Sequence, residues 1–179
     1  MPLPPETVRT RAEKIRLLLL DVDGVLTDGS VVLLGDGQEL KSFYVRDGTA
    51  IVIARREGID VGLLSGRSSE VTKRRAAELG IDIVVQGETD KETAFDRILA
   101  GAGLEAGEVA FMGDDLLDLP VLRRVGLAAA PADAVREVLD AADWVSTRAG
   151  GRGAVRELVE LLLDARGRWN HWASGEGHR

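Results

Sequence analysis

The sequence predicts an α/β protein built on a doubly wound parallel sheet, and two patterns carry that prediction. Short apolar runs of strand length alternate along the chain with segments of helical spacing, which is typical of successive βαβ units. Polar residues stand directly after several of the apolar runs, as at Asp21 after 15–20 and at Ser65 after 60–64. Because parallel strands end at one edge of a sheet, we expect these polar residues to meet there.

Composition and charge exclude several classes of protein. With 45% hydrophobic and 30% charged residues, the chain has an ordinary globular composition. Its 23 basic and 30 acidic residues give a net charge of −7, which argues against a nucleic-acid partner. It contains no cysteine, so it has no disulfide framework. The residues up to Lys14 lack the apolar core of a signal peptide, and the run at 17–20 is too short to span a membrane, so we predict a cytoplasmic protein with no membrane partner.

The elements are predicted from apolar spacing and from turn and capping residues. After the first strand comes a β-hairpin, whose arms at 30–34 and 38–45 flank Gly35-Asp36-Gly37. Asp47 is predicted to cap the next helix, which Gly58 closes. The remaining predicted elements are a strand at 60–64, a helix from Ser68 or Ser69 to Leu79, a strand at 81–85, a helix opened by a Thr89–Glu92 capping box, a strand at 109–112, a helix capped by Asp118, a strand at 127–130, a helix at 133–141, a strand at 144–146 and a last helix after Gly150-Gly151-Arg152-Gly153.

These elements predict a single domain over residues 14–166, with terminal tails at 1–13 and 167–179. The second tail loses the helical pattern but contains Trp169 and Trp172. One interpretation of these aromatic residues is a partial lid over the site of a neighbouring subunit.

Two carboxylates dominate the central motif, Asp21-Val22-Asp23-Gly24. Side chains at positions i and i+2 of an extended segment point to the same side, so Asp21 and Asp23 are able to face one substrate. One carboxylate would attack an electrophile while the other transfers protons. Asp and Gly are also common in turns, so the motif taken alone fits a structural turn equally well.

Further polar residues are predicted to join this pair at the same edge of the sheet. Asp114 adds a third carboxylate, and clustered carboxylates repel each other unless a hard cation such as Mg²⁺ binds them. Ser65 and Lys91, each expected at the start of a helix, are suited to bind phosphate oxygens. Taken singly, Ser65 is more typical of a turn and Lys91 of a solvated surface. Asp115 fits either a supporting acid or a turn residue.

Four motifs resemble, in order and spacing, those of the haloacid dehalogenase superfamily. They are Asp21-Val22-Asp23-Gly24-Val25, Ser65-Gly66-Arg67, Lys91 and Gly113-Asp114-Asp115-Leu116-Leu117-Asp118. Two more segments resemble members of the superfamily that act on an eight-carbon acid sugar phosphate, and the whole resemblance covers about residues 14–167. These segments are Val45-Arg46-Asp47-Gly48 and Ala149-Gly150-Gly151-Arg152-Gly153-Ala154-Val155-Arg156-Glu157.

The resemblance implies an Mg²⁺-dependent phosphatase that works through an aspartyl phosphate in lipopolysaccharide precursor synthesis. Asp21 would be the nucleophile and Asp23 the general acid and base, while Ser65 and Lys91 would bind the phosphoryl oxygens. Mg²⁺ would be held by Asp21, by the backbone carbonyl of Asp23 and by Asp114.

The resemblance also implies a capless member of the superfamily that forms a homotetramer. The gaps between the motifs hold only short elements, so other subunits would have to close the site, with the hairpins packed together. The substrate's carboxylate would favour arginine, and the candidate substrate-binding residues are Arg46, Asp47, Arg67 and Arg152. For each arginine, an ordinary surface salt bridge is an equal alternative.

Three other functions fit part of this pattern. A phosphatase of a nine-carbon ulosonate 9-phosphate, of the sialic acid type, would carry nearly the same motifs. A phosphoacceptor signalling domain also uses an Asp, Mg²⁺, a hydroxyl and a Lys, but it lacks the hydrolytic acid that Asp23 supplies here. A non-catalytic oligomerisation domain would have no need of both Asp21 and Asp23.

Overall fold

A six-stranded parallel sheet forms the centre of the structure, a computed structural model that describes residues 3–35, 38–175 and 177. The strands are β1 (Leu17–Leu20), β2 (Val32–Leu33), β3 (Glu39–Leu40), β4 (Asp60–Leu64), β5 (Ile83–Val85), β6 (Val109–Met112), β7 (Leu127–Ala130) and β8 (Trp144–Val145). Six of them form the sheet in the order β5-β4-β1-β6-β7-β8, and every neighbouring pair is parallel. The predicted doubly wound parallel sheet is therefore confirmed.

The central strand β1 is buried on both of its faces. Its four leucines have no exposed surface. Because side chains alternate along a strand, Leu18 and Leu20 pack into the apolar core on one face of the sheet, while Leu17 and Leu19 pack into the core on the other. This burial fixes the end of β1, and with it the position of Asp21.

Helices cover both faces of the sheet. They are α1 (Pro5–Ala12), α2 (Val45–Arg56), α3 (Glu70–Glu78), α4 (Lys91–Ala102), α5 (Leu119–Leu122), α6 (Arg136–Ala141), α7 (Ala154–Ala165) and α8 (Trp169–Ala173). Apolar residues of α1, α2, α3 and α7 belong to one core, and those of α4, α5 and α6 to the other. Within the described part of the chain, no helix combines the length and apolar character needed to cross a bilayer.

Within the described residues, each of the two segments that the sequence predicted as tails contains a helix that packs against the domain. Helix α1 buries Val8 and Ala12 and packs against α7. Helix α8 also packs against α7, and the indole Nε1 of Trp172 donates a hydrogen bond to Glu57 at 2.8 Å. Trp169 packs on the same core beneath the guanidinium of Arg156. The tryptophans therefore pack on their own subunit, and the partial lid over a neighbouring subunit stays a prediction.

The hairpin of β2 and β3 stands apart from the main sheet and is shorter than predicted. Its turn was predicted at Gly35-Asp36-Gly37, of which residues 36 and 37 lie outside the described residues. Five apolar side chains of the hairpin are exposed, with 72% exposure at Leu33. They are Val31, Val32, Leu33, Leu34 and Leu40. The hairpin thus presents an apolar surface to the outside of the subunit.

Three of the predicted helix caps involve different residues in the structure. Helix α4 is capped by Asp90, which accepts from the backbone N–H of Thr93, and not by a capping box from Thr89. Asp47 does not cap α2, which begins two residues earlier at Val45. Its buried carboxylate instead accepts from the backbone N–H groups of Gly153 and Arg156, at 3.3 and 2.8 Å. Asp47 therefore caps helix α7. The third predicted cap is Asp118, whose side chain lines a cavity at the edge of the sheet.

The Gly150-Gly151 segment packs directly against the loop that follows Asp21. The backbone N–H of Gly151 donates to the carbonyl of Val25 at 2.9 Å, and a Cβ atom on Gly150 would overlap the carbonyl of Gly24. Only glycine permits this approach of two backbones. The glycine motif before α7 thus supports the loop that carries both catalytic candidates.

Asp47→Ala should lower the free energy of unfolding by about 1–2 kcal/mol, because it removes both hydrogen bonds to the start of α7. Urea unfolding followed by circular dichroism measures this loss. Asp82→Ala is the matched control, since the Asp82 side chain is 93% exposed and should change stability by less than about 0.5 kcal/mol. An equal effect of the two substitutions would contradict the capping role of Asp47.

Candidate active site

The candidate active site lies where β1 ends between β4 and β6. The strand order reverses at this point, because β4 and β5 lie on one side of β1 and β6 to β8 on the other, so a crevice opens beyond the carboxyl ends of the strands. The crevice is a cavity of about 310 Å³. It is lined by Asp21, Asp23, Gly29, Val31, Ser65, Gly66, Arg67, Lys91, Asp114, Asp115, Leu117 and Asp118. The structure thus brings together all the residues that the sequence predicted as catalytic or metal-binding.

Lys91 links two carboxylates at the floor of this cavity. Its Nζ lies 2.9 Å from Oδ1 of Asp21 and 2.6 Å from Oδ1 of Asp118. All three side chains are buried, because Lys91 begins α4 directly beneath the end of β1. The expectation that Lys91 lies at a helix start beside Asp21 is met, and the alternative of a solvated surface lysine is wrong.

Burial is the largest single influence on the pKa of Asp21 and on that of Lys91. It raises the pKa of Asp21 to about 6, against the lowering effect of the Lys91 ammonium. Burial alone would lower the pKa of Lys91, but the charges of Asp21 and Asp118 outweigh burial and raise that pKa above its ordinary value. Lys91 is therefore a permanent cation next to the Asp21 carboxylate.

Asp114 completes a group of three carboxylates whose arrangement fits a divalent cation. One oxygen each from Asp21, Asp114 and Asp118 lie within 4.8 Å of one another. Oδ1 of Asp114 is buried without a hydrogen-bond partner, and a Cβ atom on Gly24 would overlap the same carboxylate. Burial, together with Asp21, Asp118 and Asp115, raises the pKa of Asp114 to about 8. An oxygen-only donor set with one unsatisfied buried oxygen fits Mg²⁺.

Asp118 belongs to this site more closely than the sequence indicated. The sequence predicted a cap for the helix containing Pro120, but no such side-chain hydrogen bond forms at α5. Oδ2 of Asp118 instead accepts from the backbone N–H groups of Asp114 and Asp115, at 2.9 and 3.2 Å. Asp118 thus fixes the loop that carries Asp114, while its other oxygen binds Lys91. The signal in the sequence for this role was that Asp118 follows Asp114 by four residues. A single 3₁₀ turn (Leu116–Asp118) spans that interval.

Asp115 acts as a turn residue at the rim of the cavity. Its exposed side chain accepts from the backbone N–H of Leu116 at 2.7 Å, which begins that 3₁₀ turn. Of the two interpretations that the sequence left open for Asp115, the turn residue agrees with this contact.

Asp23 lies at the mouth of the cavity and contacts two basic side chains. Its Oδ1 accepts from the Nζ of Lys41, and its Oδ2 lies 3.6 Å from the Nε of Arg67. Arg67 also contacts Glu39 of the hairpin at 3.2 Å. Lys41 and Glu39 were not predicted from the sequence as residues of the site. Both alternate with exposed residues in β3 and the residues after it, and this period of two predicts that their side chains share one face.

Ser65 lies on the loop after β4, five residues before α3, and not at a helix start as predicted. It is 3% exposed, and its Oγ accepts from the backbone N–H of Arg67 at 3.3 Å. The buried hydroxyl lines the cavity close to Asp21 and Lys91. Helix α3 is capped by Ser69, one of the two serines that the sequence offered for that role.

The predicted substrate-binding residues do not all reach this cavity. Arg67 lines it, whereas Arg46 and Arg152 line a separate cavity of about 200 Å³ that also contains Arg148 and Arg156. Asp47 is buried against the start of α7, with both carboxylate oxygens engaged. Of these four predicted residues, only Arg67 therefore lines the cavity that contains the carboxylate cluster.

Buried paired acids, a lysine and a hydroxyl at the edge of a parallel sheet define a hydrolase of the phosphoryl-transfer type. The chain belongs to the haloacid dehalogenase-like hydrolase family, whose model matches residues 34–126. The family and the phosphatase class that the four motifs predicted are confirmed.

Individual relatives cover almost the whole chain. A 3-deoxy-D-manno-octulosonate 8-phosphate phosphatase of Salmonella typhimurium is 47% identical over 167 residues, which is 93% of this chain and 88% of that protein. The enzyme of that name from Moraxella catarrhalis, solved in complex with a magnesium ion, a phosphate ion and KDO, superposes with a TM-score of 0.92 at 36% identity, covering 94% of this chain and 97% of that one. The cobalt-bound deoxy-D-mannose-octulosonate 8-phosphate phosphatase of Haemophilus influenzae gives a TM-score of 0.90 at 40% identity, covering 93% and 98%.

Asp114→Asn should stabilise the metal-free protein at pH 8 and abolish its stabilisation by Mg²⁺. The folded pKa of Asp114 lies above its unfolded value of about 4, so the stability from the protonated acid is present below pH 4 and is lost as pH rises towards 8. The neutral amide avoids that loss, but it cannot supply the anionic ligand.

Thermal melting of the wild type and Asp114→Asn at pH 5 and pH 8, in EDTA and in Mg²⁺, measures both effects. We expect the Mg²⁺-dependent rise in Tm to be largest for the wild type at pH 8 and absent in the variant. Asp82→Asn, an exposed change of the same chemistry, should behave like the wild type. A wild-type Tm in EDTA that does not fall between pH 5 and pH 8 would contradict the assignment.

Proposed function

We propose that this protein is an Mg²⁺-dependent phosphatase that hydrolyses 3-deoxy-D-manno-octulosonate 8-phosphate to the free sugar acid and phosphate. The observation that carries the proposal is the buried Asp21, ion-paired to Lys91 and next to the unsatisfied oxygen of Asp114. The names and bound ligands of the relatives support this substrate over other sugar phosphates.

Asp21 is the nucleophile in the proposed reaction. One of its carboxylate oxygens attacks phosphorus, the bond from phosphorus to the sugar oxygen breaks, and an aspartyl phosphate forms. A carboxylate and a phosphate dianion repel each other, so the nearby Lys91 ammonium and the Ser65 hydroxyl are suited to hold the phosphoryl oxygens. The buried ion pair fixes the direction in which Asp21 points.

A magnesium ion held by Asp21 and Asp114, and by the backbone carbonyl of Asp23, would neutralise charge on the transferring phosphoryl group. Asp118 supports this ligand set from beneath, because it holds the Asp114 loop and keeps Lys91 in place.

Asp23 is the proton-transfer group of the proposal. It protonates the sugar oxygen as that oxygen leaves phosphorus, and it then takes a proton from the water that attacks the aspartyl phosphate. Hydrolysis releases phosphate and regenerates the Asp21 carboxylate. The position of Asp23 at the cavity mouth, two residues from Asp21, suits a group that contacts both the leaving sugar and the incoming water.

Arg67 is the proposed contact for the substrate's carboxylate, since its guanidinium lies at the cavity with 49% exposure. Arg46, Asp47 and Arg152 stay predictions, because they lie elsewhere in the subunit. The predicted place in lipopolysaccharide precursor synthesis follows from the substrate, and the cytoplasmic location stays a prediction.

The test of this function is phosphate release from the eight-carbon 8-phosphate and from a nine-carbon ulosonate 9-phosphate. We expect higher kcat/KM on the eight-carbon substrate, loss of turnover in EDTA and recovery with Mg²⁺. Preference for the nine-carbon substrate would select the alternative phosphatase, and full activity in metal-stripped protein would refute the mechanism.

Asp23→Asn should lose about 10²–10⁴-fold in kcat on the sugar phosphate, because proton transfer is lost at both steps. The loss should be much smaller on the first step with p-nitrophenyl phosphate, whose leaving group needs no proton. Pre-steady-state release of p-nitrophenol isolates that step from hydrolysis of the aspartyl phosphate. Asp21→Asn is the control, since loss of the nucleophile should abolish release from both substrates. Equal losses for Asp23→Asn on both substrates would contradict the role of Asp23 as the general acid.

We propose further that four copies of the chain assemble through their hairpins. The chain between Asp23 and Ser65 holds, within its described residues, only β2, β3, α2 and β4, which provides no cap over the cavity. The exposed apolar side chains of the hairpin supply a surface suited to burial between subunits. A neighbouring subunit is therefore the proposed cover of the site.

Val32→Glu and Leu34→Glu should each disrupt the assembly and reduce turnover of the sugar phosphate by about 10-fold or more, since a charge on the hairpin has to be desolvated at the interface. Multi-angle light scattering should give four chain masses for the wild type and smaller species for the variants. Val135→Glu changes an exposed apolar residue outside the hairpin and should leave the tetramer intact. A wild-type monomer with full activity would overturn this proposal.

A further inference from the structure

A buried lysine from the hairpin contacts the proposed proton-transfer group. Lys41 follows β3, and its side chain is only 3% exposed. Its Nζ donates to Oδ1 of Asp23, whereas its own side chain does not line the cavity. A buried ammonium ion is costly unless it is paired, so this contact differs from an ordinary surface salt bridge.

We propose that Lys41 is a positioning residue for the reaction, which holds the Asp23 carboxyl group so that Oδ2 is the oxygen that exchanges the proton. This inference rests on the proposed function, because it assigns the group that orients the acid of that reaction.

The two oxygens of Asp23 have different surroundings. Oδ1 is bound by Lys41, while Oδ2 is buried without a hydrogen-bond partner. The Nε of Arg67 lies 3.6 Å from Oδ2, beyond hydrogen-bond distance. Lys41 therefore engages Oδ1 and leaves Oδ2 as the unpaired oxygen of a carboxyl group that lines the cavity.

The proton balance then follows for both steps. As the bond between phosphorus and the sugar oxygen breaks, the proton on Oδ2 passes to that oxygen, and the carboxylate left behind is stabilised by the Lys41 ammonium. In the second step, water attacks the phosphorus of the aspartyl phosphate, one proton of that water passes to Oδ2, and the bond from phosphorus to the Asp21 oxygen breaks to return the Asp21 carboxylate. Lys41 keeps its own protons throughout.

The hairpin is the element that delivers this contact. Glu39, two residues before Lys41 and on the same face, contacts Arg67, so the hairpin is joined to the cavity mouth at two points. A displacement of the hairpin would misplace Asp23, and a shift of about 1 Å is enough to cost about 100-fold in rate. The position of the hairpin is thus linked to proton transfer.

Lys41→Met tests this role, because it keeps the length and apolar stem of the side chain and removes the charged donor. We expect kcat on the 8-phosphate sugar to fall by about 10-fold to 100-fold with little change in KM. The burst of p-nitrophenol from p-nitrophenyl phosphate should change by less than about threefold, since that first step needs no proton. Lys41→Arg, which keeps a charged donor, should recover part of the lost kcat.

Lys73→Met is the matched control. Lys73 is exposed and pairs only with the neighbouring Glu70 among the ion pairs of the described residues, so both substrates should be turned over at the wild-type rate. Melting temperature and light scattering on every variant show whether Lys41→Met has lost its fold or assembly. If it has, Lys41→Gln, which keeps a neutral donor, provides the same comparison.

Three results would overturn the inference. If Lys41→Met loses activity equally on the sugar phosphate and in the p-nitrophenol burst, Lys41 has a merely structural role. A raised KM at unchanged kcat would show that Lys41 binds the substrate. An unchanged kcat on both substrates would show that it has no role. Failure of the proposed function is distinguished by the wild type, which would then release phosphate poorly from the 8-phosphate sugar. In that case, the same comparison is made on the alkyl phosphate that the wild type turns over fastest.

Discussion

The site depends on one electrostatic constraint, which is the clustering of three carboxylates, two of them buried and paired with a single lysine. Asp21, Asp114 and Asp118 lie close enough for their charges to repel, and Lys91 offsets only part of that repulsion. Burial is the largest cause of the raised pKa of Asp114, and the repulsion that remains from the other carboxylates adds to it. Perturbed carboxylates of this kind are concentrated at functional sites, and a cation-assisted reaction on an anion accounts for this cluster. The sheet makes the cluster possible, because β1 and β6 end side by side and bring their following loops to the same place.

The loops around this cluster are held by backbone contacts that only glycine permits. Gly24 leaves room for the Asp114 carboxylate, and Gly150 leaves room for the carbonyl of Gly24. Asp47 then fixes the start of α7 just beyond the glycine segment. The motif before α7 therefore acts on the site through its packing against the loop that follows Asp21.

The hairpin connects the site to the outer surface of the subunit. One face of β3 and its continuation carries Glu39 and Lys41 towards Arg67 and Asp23, while Leu40 points outwards with 52% exposure. The alternation of a strand thus places a charged face on the cavity and an apolar face on the surface. The hairpin therefore joins the side chains at the cavity to an exposed apolar surface of the same subunit.

The sequence by itself determined the sheet, most of the helices and two of the three carboxylates of the cluster, Asp21 and Asp114, because these follow from local spacing and from the rule that parallel strands end at one edge. Tertiary structure alone decided the partners of the charged side chains. Asp47 caps a helix that begins 107 residues later in the chain (154 − 47), Lys91 pairs with an acid 70 residues away, and Lys41 reaches Asp23 across a hairpin. Local patterns assigned Asp47 and Asp118 to their own helices and Trp172 to a tail. The sequence shows that such a side chain forms hydrogen bonds, but the distant group that becomes its partner is decided by how the chain folds.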